Sequence, residues 1–263
     1  MVIKLKTHRH KKFLGQHFLQ DKNISRKIAE SLLLTEKDFV VEIGPGKGIL
    51  TRELLKHIPH LTAIEFDGDL IDPLKSEFGN SLTLINDDFL NVDLNILAKK
   101  NKIKLVGNIP YNITSQIIFK AIDSNSVVSE LLIMIQKEVA ERIVAKPNSK
   151  AYGILSVLIQ YFGDVKILFN VSPGCFYPKP KVTSSVIKID FKKRNYLLSC
   201  DELLFRKIVR GTFNMRRKTL RNTLRSLKFS EDKLSSLDLD LNRRAESLSI
   251  KEFLDLTNQL SNK

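Results

Sequence analysis

The chain has 263 residues, 43% of them hydrophobic, and a formal net charge of +14. That is enough for one large domain, or a medium domain with a smaller companion, and it excludes a mostly disordered chain. A balance this basic points to a polyanionic partner, nucleic acid before others, with an inert cationic surface as the plain alternative.

The N-terminal stretch MVIKLKTHRHKKF is basic but has no apolar core, so it does not read as a secretory signal. No acidic residue precedes Asp21, and NISRKIAESLLL then sets Ile24, Ile28 and Leu32 at helical spacing. The expectation is a basic arm followed by a helix. Strand and helix signals alternate after it: FVVEIG then GILTRELLKHI, LTAIEF then DLIDPLKSEF with Pro73 in its first turns, LTLIND, and IKLVGN then ITSQIIFKAI. ELLIMIQ is a further apolar strand, with EVAERIVA and ILSVLIQYF helical after it. VKILFNV and SSVIKIDF are late strands with no helix between them, which suggests an antiparallel, hairpin-like ending. This alternation predicts an α/β fold with a doubly wound, mostly parallel sheet.

From about residue 195 no strand-like run remains, and LLFRKIVRGTF, MRRKTLRNTLRSLKF and IKEFLDLTNQL read as helices. The expected organisation is therefore residues 1–194 as the α/β domain and 195–263 as a small all-helical domain. The two cysteines, Cys175 and Cys200, form no CxxC pair and have no histidine cluster beside them. Neither a zinc site, any other metal centre, nor a disulfide framework is expected, and the cytoplasm suits the chain best. The longest nearly apolar stretch, GILSVLIQYFG, is too short and too polar to span a bilayer, so no membrane partner is expected.

Chemistry enters at the strand ends. EIGPGKG, residues 42–48, lies where the first strand of the alternation turns into a helix. Its glycines, Gly44 and Gly46 among them, allow a tight turn and close approach to a ligand. The spacing matches neither a P-loop nor the dinucleotide fingerprint, and a purely structural turn stays open. Glu65 ends the next strand, about 20 residues beyond Gly44, where a carboxylate can take ribose hydroxyls. Asp88 follows the third strand and can accept from an adenine amino group. Glycines, ribose acid and adenine acid together describe a nucleoside cofactor held without phosphate contacts, and S-adenosylmethionine fits. Either acid alone could be a solvated strand end.

Asn108 ends the fourth strand, in VGNIPYN. NIPY resembles the [DN]-P-P-[YF] motif of methyltransferases acting on exocyclic amines of adenine or cytosine. Such an amine is a poor nucleophile because its lone pair is delocalised into the ring. Acceptors on Asn108 and on the Ile109 backbone can draw its hydrogens out of plane, and Tyr111 offers a stacking face. In SPGCFYPKPKV, prolines stiffen a loop in which Phe176 is the candidate second wall for a flipped base, or else a plain core aromatic. In TFNMRRKTLRNTLRSLKF, one helical face would carry Phe213, Leu220, Leu224 and Leu227, with Arg217, Arg221 and Arg225 along its flank. These guanidiniums suit RNA phosphates, the plain alternative being a solvated basic face.

GQHFLQD, EIGPGKG, IEFD, GNIPYNIT, QKEVAERIVAKPNSKAYG, CFYPKPKV and FNMRRKTLRN occur in one order over nearly the whole chain. Together they resemble the KsgA-type small-subunit ribosomal RNA adenine dimethyltransferases. The resemblance implies a class I, Rossmann-like methyltransferase domain with a small helical domain. It implies two methyl transfers to N6 of each of two adjacent adenosines in the 3′-terminal hairpin loop of 16S rRNA, four S-adenosylmethionine molecules per subunit, and a part in subunit biogenesis. The implied partner is the assembling small ribosomal subunit, with the protein acting as a monomer. Carried over by position, His17, Leu19, Gly44, Gly46, Glu65, Asp88 and Asn108 would touch the cofactor, while Asn108, Tyr111 and Phe176 would hold the target adenine. His17 departs from the family's frequent Asn in GQNFL, and a neutral imidazole can still make one hydrogen bond. A large-subunit, resistance-type methyltransferase and a non-catalytic RNA-binding assembly factor are the alternatives. A small-molecule methyltransferase accounts for neither the charge nor the basic helical tail.

Overall fold

The computed structural model describes residues 17–193, 196 and 201–261. The basic arm, Cys200 and the expected domain boundary at 194/195 lie outside them. In chain order the elements are β1 (Phe18–Leu19), α1 (Lys22–Ser31), β2 (Phe39–Ile43), α2 (Ile49–Leu54), β3 (Leu61–Ile64), α3 (Ile71–Phe78), β4 (Leu82–Ile85), α4 (Leu94–Ala98), β5 (Ile103–Asn108), α5 (Thr114–Asp123) and β6 (Val128–Gln136). There follow α6 (Lys137–Ile143), α7 (Ile154–Phe162), β7 (Asp164–Val171), β8 (Phe176–Tyr177), β9 (Ser184–Asp190), α8 (Glu202–Asn214), α9 (Leu220–Ser226), α10 (Glu231–Ser235) and α11 (Ile250–Ser261).

Seven strands form one sheet in the order β4-β3-β2-β5-β6-β9-β7. The pairs β4–β3, β3–β2, β2–β5 and β5–β6 are parallel, and β9 runs antiparallel to β6. The mostly parallel α/β sheet read from the alternation is therefore present. The apolar content decides the order. β6, reading VSELLIMIQ, is buried along all but its last residue, as a strand covered on both faces must be. The expected hairpin partners β7 and β9 are neighbours at one edge. After β4 the chain crosses β2 to lay down β5, so the strand order reverses between β2 and β5. Open α/β sheets bind their ligands at such a switch point.

Gly107 makes that reversal possible. A Cβ there would lie 2.5 Å from the Ile43 carbonyl oxygen, so only glycine lets β5 approach the end of β2 this closely. Local chemistry sets other boundaries. Asp21 caps α1, its Oδ1 accepting from the Asn23 and Ile24 amides at 2.8 and 3.2 Å. Asp93 does the same for α4, a short helix the periodicity did not reveal. α2 stops at Leu54, earlier than GILTRELLKHI suggests, as the Lys56 and His57 amides turn back onto Glu53 and Leu54.

The chain divides into two compact units, residues 1–140 with 166–192, and residues 141–165 with 193–263. Residues 141–165, expected in the α/β domain, thus group with the C-terminal helices. Their aromatic side chains are the reason. Tyr152 packs edge-on to Phe213 at 5.8 Å, and Tyr161 lies 4.6 Å from Phe205. Phe205, Phe162, Tyr152 and Phe253 are all buried, each worth roughly 1.5–3 kcal/mol against exposure. The helices read as 203–213 and 215–229 are α8 and α9, separated by a turn in which the Lys218 amide bonds to the Met215 carbonyl at 2.8 Å, so the single face drawn from Phe213 to Leu227 is interrupted. The turn lets Leu227 fold back on Gly211, where a Cβ would come within 2.6 Å of the leucine side chain.

These two glycines separate backbone from side-chain crowding. Gly107→Ala meets a fixed carbonyl and should destabilise the protein by about 3 kcal/mol, whereas Gly211→Ala meets a leucine that can shift and should cost about 1 kcal/mol. Urea unfolding of the two variants checks the ranking, and the reverse order would contradict it.

Candidate active site

A cleft of about 230 Å³ opens at the strand reversal of the first unit. Of the residues read from the sequence, His17, Gly44, Glu65, Asp88, Asn108 and Tyr111 line it. Gly44, Gly46 and Gly48 all have positive φ, at 65°, 59° and 73°, so the loop after β2 turns through conformations that other residues adopt only under strain.

Glu65 is the clasp of this rim. It is buried, yet both its oxygens are engaged: Oε2 accepts the Gly46 amide at 3.0 Å and Oε1 the Asp67 amide at 2.8 Å. The carboxylate thereby ties the end of β3 to the glycine loop after β2. Each oxygen keeps a second lone pair, the requirement for a ribose diol. Burial raises the Glu65 pKa above the ordinary carboxylate value, and the amide bonds pull against that rise. Asp88 is half-buried and holds the Leu90 amide on Oδ1 at 2.9 Å. Phe66, 59% exposed, and buried Phe89 line the same region. Sequence reading passed over both; an exposed aromatic directly after the ribose acid is the signal that was available.

The charge of the cleft opposes that of the protein. Among its described lining residues the acidic side chains are Glu65, Asp87 and Asp88, with no lysine or arginine. An acidic cleft disfavours a phosphate-bearing nucleotide and favours a cation. S-adenosylmethionine, with a sulfonium and no phosphate, matches this donor set.

Asn108 is held in one orientation. Its Nδ2 donates to the His17 carbonyl oxygen at 2.9 Å, and a carbonyl can only accept, so the amide nitrogen faces His17 and Oδ1 remains an acceptor. The Tyr111 hydroxyl and the Ser184 hydroxyl lie 2.7 Å apart, which fixes the ring at the start of β9, and burial raises the Tyr111 pKa. A fixed carboxamide acceptor beside a fixed aromatic face is an arrangement that can receive a planar base with an exocyclic amine.

Leu19 and Phe176 lie elsewhere. β1 and β8 form a two-stranded antiparallel ribbon with Phe18 opposite Tyr177 and Leu19 opposite Phe176. Leu19 and Phe176 lie in the core, 5% and 4% exposed, together with Phe18, and neither Leu19 nor Phe176 lines the cleft. Phe176 packs in the core in this structure, while its neighbour Tyr177 is 58% exposed. Gly46 also does not line the cleft and acts through its amide on Glu65.

The three arginines lie in the second unit. Arg217 is exposed. Arg221 and Arg225 both pair with Glu231 of α10, the latter through Nε at 2.5 Å, and these guanidiniums hold the Glu231 carboxyl below its ordinary value. Arg216 bonds to Glu246 at 2.6 Å and to the Lys150 carbonyl at 3.0 Å, a structural role.

A model of the ribosomal RNA adenine dimethylase family matches residues 7–262. A protein of Clostridium botulinum named ribosomal RNA small subunit methyltransferase A is 45% identical over 92% of this chain and 90% of its own length. One of the same name from Francisella tularensis is 45% identical over 95% and 97%. Among solved structures, a dimethyladenosine transferase from Plasmodium falciparum matches with a TM-score of 0.77 at 27% identity, over 91% of this chain and 96% of its own. The 23S rRNA methyltransferase ErmE matches with a TM-score of 0.69 at 23% identity over 93% and 100%, a likeness of fold alone.

One buried acid beside the cleft gives a pH signature. Glu42 on β2 is 1% exposed, accepts the Thr51 hydroxyl at 2.6 Å, and is pushed by burial, with the Glu65 charge adding to it, up to about 8. Unfolded, it ionises near 4.5. Between those values the folded chain holds a proton that the unfolded chain has lost, so this group makes stability fall as pH rises. Glu42→Gln keeps the Thr51 bond and cannot ionise. Its melting temperature should decline less than that of the parent from pH 5 to pH 8, as followed by circular dichroism; parallel declines would refute the assignment.

Proposed function

This chain belongs to the ribosomal RNA adenine dimethylase family, and on that footing we propose that it dimethylates N6 of two adjacent adenosines in the 3′-terminal hairpin loop of 16S rRNA, using S-adenosylmethionine. We place that activity in the cytoplasm, on the assembling small subunit, with the protein acting as a monomer. The single observation that carries the reading is the orientation of Asn108, whose amide nitrogen is spent on the His17 carbonyl and whose oxygen is left to accept. The names of the relatives at 45% identity favour the small subunit as substrate. The likeness to ErmE, being one of fold, does not weigh for the large subunit. A complete acceptor motif argues against a purely binding role.

S-adenosylmethionine, when bound, supplies a methyl group already activated by its sulfonium. Glu65 would take the ribose hydroxyls and Asp88 the adenine amino group, with Phe66 beside the ring and Gly44 giving close backbone approach. Leaving no lysine or arginine among the described lining residues avoids repelling the sulfonium. On the substrate side, Asn108 Oδ1 and the Ile109 backbone carbonyl would accept the two amine hydrogens. That draws the nitrogen lone pair out of conjugation, and Tyr111 would stack on the base. Positioning and preorganised acceptors carry the rate, with no strong base required. The same acceptors serve the second transfer, when one hydrogen has been replaced by methyl.

Arg217 would contact phosphate directly. Arg221 and Arg225 reach phosphate by exchanging Glu231 for it. Such exposed pairs hold only about 0–1 kcal/mol, so the exchange is easy.

The deciding experiment incubates this protein and labelled S-adenosylmethionine with small subunits lacking the modification, then analyses digested rRNA by mass spectrometry. N6,N6-dimethyladenosine in the 3′-terminal hairpin is the expected product, and methylation confined to large-subunit rRNA would overturn the reading. Asn108→Ala should lower methylation by about 100-fold or more while leaving subunit binding intact, on the scale of losing one preorganised group. Arg217→Ala should weaken RNA binding and reduce the slope of log affinity against log salt by about 0.7–0.9; an unchanged slope would remove Arg217 from the interface.

A further inference from the structure

His17 makes three contacts that no other cleft residue combines. Its ring Nδ1 lies 2.7 Å from the Pro178 carbonyl oxygen. That oxygen can only accept, so Nδ1 carries the hydrogen and, in the neutral ring, Nε2 holds the lone pair. Its own carbonyl takes the Asn108 amide at 2.9 Å. Its ring stacks against that of Tyr111, with centroids 5.8 Å apart and planes inclined by 30°. One residue thus touches both side chains proposed to receive the base and also grips the loop that follows β8.

We propose that His17 is a positioning residue, strapping the Asn108–Tyr111 acceptor loop to the β1–β8 ribbon so that both groups face the incoming adenine together. This rests on the functional reading above and goes beyond it, since a cofactor contact asks nothing of the ring's other face. The geometry divides the work between backbone and side chain. The His17 carbonyl orients Asn108 whatever the side chain is, provided the backbone stays in place. The ring keeps it in place, because its bond to Pro178 closes a loop between residues 161 positions apart. The antiparallel pairing of Phe18 with Tyr177 continues the same seam. Tyr111 is held from two sides, by Ser184 at its hydroxyl and by the His17 ring at its face. Removing the ring frees one side of Tyr111 and loosens the seam from which Asn108 takes its orientation. Asparagine at this position keeps a donor and loses the aromatic face; phenylalanine keeps the face and loses the donor.

The test compares His17→Ala, His17→Asn and His17→Phe in steady-state methylation, in S-adenosylmethionine binding by calorimetry, and in amide hydrogen exchange. His17→Ala should lower kcat by about 10- to 100-fold, the scale expected when reacting groups are displaced by about 1 Å. Its cofactor Kd should stay within about 3-fold, with the two single-feature variants intermediate in kcat. Exchange should accelerate in residues 108–113 and 175–182 together and remain unchanged in 202–214. A fall in cofactor affinity matching the fall in kcat would make His17 a cofactor contact only, and overturn the proposal. Unchanged exchange in either segment would overturn it as well. A parent protein that methylates no RNA would sink the functional reading, and the exchange result would still decide whether His17 straps the two segments.

Discussion

A buried carboxylate that two backbone amides hold in place sets the terms for the rest of the first unit. Glu65 spans from the end of β3 to the glycine loop after β2, and its two bonds decide where that loop passes. The loop needs its run of positive φ angles because it must bring the Gly46 amide to that carboxylate while leaving the cleft open. The sheet in turn must deliver β5 close beside β2, which the missing side chain of Gly107 permits. Cofactor rim and acceptor motif are thus one construction, with Asn108 at the far side of the strand crossing from Glu65.

Around this centre the electrostatics are layered. A chain of net charge +14 keeps an acidic pocket. Long-range attraction suits an anionic partner at the surface, while short-range repulsion in the cleft disfavours phosphates there. Glu42 adds a different device. Held neutral by burial at ordinary pH, it gives the base of the glycine loop a hydrogen-bonding group without a second full charge beside Glu65.

Much of this was legible in the sequence, for physical reasons. Parallel strands buried on both faces announce themselves as apolar runs, and polar residues that end such runs stand out, which is why Glu65, Asp88 and Asn108 could be placed on one rim. What was not legible depends on distance along the chain or on alternation within very short elements. β1 and β8 have two residues each, so no periodicity betrays them, and only their pairing decides that Tyr177 is exposed while Phe176 is buried. Reading the aromatic pair by motif therefore gave no sign of which of the two is exposed. The turn at 215–219 was read into the second helix because Arg217 and its neighbours fit a helical pattern, while the turn is favoured by packing of Leu227 on Gly211. The basic residues Arg217, Arg221 and Arg225 were visible as a cluster, but the sharing of Glu231 by Arg221 and Arg225 was not, since that carboxylate comes later and on another helix.

The interleaving of the two units has a consequence for synthesis on the ribosome. α7, whose Val157, Leu158, Ile159, Tyr161 and Phe162 are buried in the finished protein, leaves the exit tunnel well before α8 and α11, which belong to the same unit. At about 5–20 residues per second that is an interval of seconds in which the most apolar helix of the second unit has no finished core to enter. The chain thus passes through a nascent stage with an adhesive segment in waiting. A chain cut before α8 would leave Tyr161 without Phe205 and Phe162 without the guanidinium of Arg206.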